Sequence, residues 1–117
     1  MIPKFMLKKL YIVGSLKQEN GEFSFELENN LYPGTVIAIE PIIVNDVEFT
    51  TDRIKIYFDD GSVLASNVSD NSPFKLEKGK KFTFKIKGNV SSGSNTILFS
   101  FNTKEAGKIT FDVEDSL

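Results

Sequence analysis

Lys81-Phe82-Thr83-Phe84-Lys85-Ile86-Lys87 places an apolar side chain at every second position and a polar one between. Successive side chains of a strand point to opposite faces, so this stretch reads as a β-strand with one face in a core and one in water. A helix would gather its apolar residues three and four apart, which this run does not do. The same period recurs on both sides of it. Phe23, Phe25 and Leu27 alternate with Glu22, Ser24, Glu26 and Glu28. Ile97, Phe99 and Phe101 alternate with Thr96, Ser100 and Asn102, and Ile109, Phe111 and Val113 with Lys108, Thr110, Asp112 and Glu114. Ile54, Ile56 and Phe58 make a shorter run of the same kind.

Turn chemistry separates these runs. Asn45-Asp46, between Val44 and Val47, suits a two-residue hairpin because both residues tolerate positive φ. Asp59-Asp60-Gly61, Lys78-Gly79-Lys80, Ser91 to Ser94 and Ala106-Gly107 supply further breaks, and Pro33-Gly34 another. The expected strands are 5–13, 22–29, 35–44, 47–50, 54–58, 81–87, 95–103 and 107–114, with 62–74 the least determined stretch. Seven or eight short strands at this spacing predict an all-β chain, an immunoglobulin-like antiparallel β-sandwich. Alternation carries no connectivity, so it is equally compatible with a jelly roll or a partly open barrel. No linker, repeat or low-complexity tract divides residues 1–117, which are read as one domain.

Composition agrees and excludes a good deal. Of 117 residues 11 are Phe and none is Trp, and aromatic and β-branched side chains fit a pleated, half-buried surface. Cys is absent, so no disulfide or thiolate site exists. His is absent too, which removes the usual general base near neutral pH and the commonest transition-metal ligand. The net charge of −2 gives no general attraction to nucleic acid or an anionic membrane. After Lys8-Lys9 the apolar stretch Leu10 to Val13 is broken by Gly14-Ser15 and Lys17, too short for the core of a signal peptide. A cytoplasmic location is therefore expected, and the sequons Asn67-Val68-Ser69 and Asn89-Val90-Ser91 carry no weight.

The residues offer four candidate sites. Lys81, Lys85 and Lys87 share one face with Lys75, Lys78 and Lys80 nearby, an anion patch or a solvated edge-protecting face. Glu22, Glu26 and Glu28 on a neighbouring strand would offset them as cross-strand pairs, and no stacking aromatic residue is expected among the lysines on that face. Asp59 and Asp60, with Asp52 or Asp70, lack the spacing of a calcium loop, and no metal or cofactor is expected. A carboxylate pair or a Ser–Lys arrangement is the only enzymology available, without a phosphate loop or nucleophile elbow, so the chain is read as no enzyme.

The fourth is Thr35 to Val44, apolar on both parities: Val36, Ala38, Ile42 and Val44 on one, Ile37, Ile39 and Ile43 on the other. A sandwich strand with one wet face should alternate. Leu98 likewise interrupts the polar set of 95–103. Ile37, Ile39, Ile43 and Leu98 are thus a candidate interface, against which stands a bulge at Pro41 that buries each set in turn.

Lys9-Leu10-Tyr11 through Gly21-Glu22-Phe23, Gly34-Thr35 through Val44-Asn45-Asp46, Gly79-Lys80-Lys81 to Gly93, and Thr103-Lys104-Glu105-Ala106-Gly107 together resemble small β-sandwich proteins related to the β subunit of C-glycoside deglycosidases. That family has a valine-aspartate-glycine hairpin where this chain has Val44-Asn45-Asp46. The resemblance implies an accessory subunit beside a separate catalytic subunit and transfers no catalytic residue. The expected function is a non-catalytic protein-interaction module, self-associating or serving a larger enzyme. The alternative is a carbohydrate-binding module using Tyr11, Tyr32 and Tyr57; neither nucleic acid nor membrane is expected as a partner.

Overall fold

The computed structural model describes residues 2–117. Two antiparallel sheets face each other across a core of aromatic and branched side chains. The strands are β1 (Lys17–Glu19), β2 (Glu22–Glu28), β3 (Gly34–Ile39), β4 (Ile42–Val44), β5 (Val47–Phe49), β6 (Ile54–Phe58), β7 (Gly61–Leu64), β8 (Phe74–Leu76), β9 (Lys81–Lys87), β10 (Ser94–Thr103) and β11 (Gly107–Ser116). The first sheet runs β1-β2-β9-β6-β7. The second has β10 at its centre, with β11 along one side and β3 and β4 end to end along the other; β8 and β5 lie outside β3 and β4.

The all-β sandwich expected from the alternation is the fold observed, and among the described residues its strands number 11 rather than seven or eight. Three short strands escape the pattern: β1, β7 and β8 have three or four residues each, too few to show a period. A fourth difference is that 35–44 is two strands, not one. The two neighbour pairs assumed from the sequence are present, β2 beside β9 over seven residue pairs and the 34–44 region beside β10. The N-terminal stretch corrects another expectation. Residues 5–13 form no strand; Lys4–Leu7 is a single helical turn, Lys8–Leu10 a 3₁₀ turn, and the sheet is met by an isolated bridge from Tyr11 to Leu27 and by the Ile12 amide, which donates to the Glu26 carbonyl. Leu7, Leu10 and Tyr11 are buried, at a helix-like spacing of three and four that outweighs the β-branched run following them.

Phe23 and Phe25 on β2, Ile54 and Ile56 on β6 and Ile86 on β9 meet Ile97, Phe99 and Phe111 from the other sheet, all essentially sealed from water. Phe99 lies 5.3 Å from the Phe25 ring in a T-shaped pair and 5.1 Å from Phe111 in a stacked one. Such pairs contribute about 0.5–1.5 kcal/mol beyond the area they bury. Polar pins close the ends. Asn29, buried, donates to the carbonyls of Tyr32 and Leu76, and Asn95 donates to those of Ser91 and Gly93 while accepting from Asn45. Among the described residues no buried side-chain polar atom lacks a partner.

Candidate functional site

Register decides which of the apolar residues of 35–44 face water. Ile43 stands opposite Leu98, and Ile39 opposite Phe101, so four steps along one chain answer three along the other. The extra residue falls at Glu40-Pro41, where Pro41 has no amide to give the ladder. A slip of one residue exchanges the faces. Ile42 and Val44 therefore point inward on one side of the break, and Ile39 on the other, where it packs against the core. A second irregularity follows, since Ala38 pairs with Asn102 and Val36 with Thr103. Ile37 is the unopposed residue there; it is only partly buried and, unlike Ile39, does not pack against the core cluster.

The four residues proposed from the sequence are thus divided. Ile43 and Leu98 are direct cross-strand neighbours on the outer face of the second sheet, with Ile37 further along it, whereas Ile39, partly buried, packs against the core. The irregularity expected at Pro41 is present, and it leaves Ile43 and Leu98 half-buried side by side on the outer face. Leu98 is also opposite Asp112 and Ile43 opposite Glu48, which makes one row across four strands: Asp112, Leu98, Ile43, Glu48. An apolar pair is bracketed by carboxylates, and neither carboxylate has a cation within ion-pair distance among the described residues. On the same face Glu40 is held by Lys108 at 3.2 Å.

The outer face of the first sheet is different. Glu22 stands opposite Lys87 and Glu28 opposite Lys81, as anticipated, whereas Glu26 faces Thr83 and Lys85 faces Ser24. On its other side Lys85 lies directly opposite Lys55 of β6. Both ammonium groups lie near the Tyr57 ring, 5.4 Å from its centroid for Lys55 and 5.2 Å for Lys85. An aromatic residue does interleave the lysines. Sequence reading missed it because Tyr57 lies 28 positions from Lys85 and reaches it only through the β6–β9 pairing.

The aspartates singled out are dispersed: Asp59 pairs with Lys80, Asp70 with Lys104, and Asp52 accepts from the Thr50 hydroxyl. Among the described residues no three acidic groups gather to hold a cation. Nor do the tyrosines make a sugar platform. Tyr32 is exposed and Tyr57 lies beside lysines, but Tyr11 is buried and donates to Asp115 Oδ2 at 2.7 Å. Asp115 also accepts from the amides of Gly14, Leu16 and Ser116. Burial pushes its carboxyl up, yet the Tyr11 hydroxyl and the three amides hold it below the usual carboxylate range. Burial and the same carboxylate push the Tyr11 phenol above its usual range. This pair is a structural latch between the N-terminal segment and the last strand, and nothing in the sequence pattern announces it.

The geometry defines a class: an antiparallel β-sandwich with a half-buried apolar pair, Ile43 and Leu98, set between Glu48 and Asp112 on the outer face of its second sheet. Residues 6–117 match the family described as hydroxymethylglutaryl-CoA reductase, N-terminal domain, and the chain belongs to that family. No curated protein is similar enough to the chain to count as a match. No helix among the described residues is long and apolar enough to cross a membrane.

Proposed function

We propose that this domain is a non-catalytic protein-interaction module that serves a larger enzyme, docking through the outer face of the second sheet. The carrying observation is the row Asp112, Leu98, Ile43, Glu48, an apolar pair enclosed by charges. An apolar centre with a polar rim is the anatomy of protein interfaces, where the centre supplies binding energy and the rim orientation. Membership of a family described as the N-terminal domain of a reductase supports the reading, because a domain so described belongs with further enzyme structure. The resemblance to an accessory β subunit points the same way. On this reading chemistry resides outside the sandwich, and the domain acts in the cytoplasm by holding or ordering its partner.

Leu98→Glu tests it. The residue faces outward, so the variant keeps its circular dichroism spectrum. Purified gently from its native cells, the wild-type chain is expected to bring a stoichiometric enzyme partner or a second copy, and the variant to lose it. A wild-type chain that returns as a strict monomer with nothing bound removes the proposal, as does a variant that retains its partner unchanged.

A further inference from the structure

The opposite face of the sandwich carries a feature that partner docking does not use. Lys17, Ser24, Lys85, Lys55 and Leu64 form one row across β1, β2, β9, β6 and β7. Lys85 and Lys55 are direct cross-strand neighbours, an arrangement that is destabilising for like charges. Neither has a carboxylate within ion-pair distance among the described residues. Glu22 and Glu26 stand at the diagonal positions to Lys85 on β2, yet both ammonium groups sit by the Tyr57 ring instead. In the adjacent row Tyr57 lies between Thr83 and Ser62. The patch therefore presents ammonium groups and hydroxyls, with Ser24 set between Lys17 and Lys85, all fixed on strands rather than loops.

We propose that Lys55, Lys85 and Lys17, ordered around Tyr57, bind an oligophosphate group. A phosphate between Lys55 and Lys85 relieves their repulsion and accepts charge-assisted hydrogen bonds from both. Lys17, two strands beyond Lys85 and thus about 10 Å away along the row, meets a neighbouring phosphate. Lys81 and Lys87 do not belong to the site, since each faces a glutamate directly opposite. Tyr57 is a positioning residue: its ring draws the two ammonium groups together, as cation–π attraction does at exposed sites.

The test is a titration of the full chain with tripolyphosphate at low ionic strength, followed by calorimetry and by the NMR resonances of Tyr57. The wild type binds and the Tyr57 ring signals move. Lys55→Gln with Lys85→Gln weakens binding about tenfold or more, while Lys81→Gln with Lys87→Gln, which removes the same charge from the same face, changes it by less than about threefold. The NMR spectra of both variants report that the fold is intact. Equal losses in the two double variants would mean diffuse attraction and overturn the proposal, as would unmoved Tyr57 signals or no binding at millimolar tripolyphosphate. Leu98→Glu leaves this binding unchanged, so the two faces stand or fall separately.

Discussion

Asp115 shows how much a single side chain ties together. Its carboxylate accepts from Tyr11 and from the amides of Gly14, Leu16 and Ser116, closing the N-terminal segment onto β11. Hydrogen bonds to a charged group contribute about 1.5–3 kcal/mol each, so Tyr11→Phe is expected to lower stability by about 2 kcal/mol in urea unfolding. The pH dependence follows from the depressed carboxyl. The unfolded chain takes up the proton near pH ~3.9, and the folded one only at lower pH. The stabilisation is therefore complete above the unfolded value and lost as pH falls through the folded one. Asp115→Asn, less stable at pH 7, should show a shallower loss than the wild type on titration from pH 5 to 2. Parallel acid curves would mean that the carboxylate is not the group responsible. Gly88 is a second residue-scale constraint. Its φ of 143° is open to few side chains, and a Cβ there would meet Phe49 at 2.5 Å. Strain and overpacking each cost about 1–3 kcal/mol, so Gly88→Ala should lower the urea midpoint by more than any other Gly→Ala change in the chain. A midpoint equal to that of Gly61→Ala, where φ is unremarkable and the nearest contact is 3.4 Å, would contradict this.

At the scale of elements, the longer strands were legible because their period exceeds any chance alternation. β6 and β9 have the bounds expected from sequence, and Asn45-Asp46 turns with φ of 50° and 69° at its two residues, as a two-residue hairpin needs. The short strands β1, β7 and β8 and the irregularity at Ile37 were not legible, and the bulge at Pro41 stood only as an alternative on the strength of the proline. A bulge otherwise leaves little mark in composition; it is fixed only when the partner strand is counted beside it, and that partner, β10, lies more than 50 residues away. The same blindness hid Lys55 from Lys85. Like charges directly opposite weaken a sheet and opposite ones strengthen it, each by about 0.2–1 kcal/mol. Lys85→Glu, which turns the pair into an opposed Lys–Glu, is accordingly expected to raise the melting temperature by a few degrees at low salt. The gain should shrink as salt is added, because exposed charges are screened. A variant no more stable than Lys81→Glu, which places two glutamates opposite each other with Glu28, would show that the Lys55–Lys85 repulsion is negligible.

For the molecule as a whole, function depends on which side of each sheet an apolar residue occupies. Sequence alone placed Ile37, Ile39, Ile43 and Leu98 together because parity was the sole guide, and parity changes meaning at each bulge. The break at Glu40-Pro41 sends Ile39 inward against Phe101 and leaves Ile43 outside beside Leu98. Stability separates the two assignments. Truncating a packed Ile costs about 2–5 kcal/mol when the site is fully enclosed. Ile39, partly buried against the core, belongs at the low end of that range, near 2 kcal/mol. Ile43 touches water and surface neighbours, and Ile43→Ala should cost well under half as much in the isolated chain. The order reverses for association: Ile43→Ala weakens partner binding, and Ile39→Ala leaves it intact wherever the fold survives. Urea midpoints read together with the affinity of a captured partner measure both. Equal stability costs would dissolve the distinction between an inner and an outer isoleucine, and with it the reason for placing the interface on this sheet.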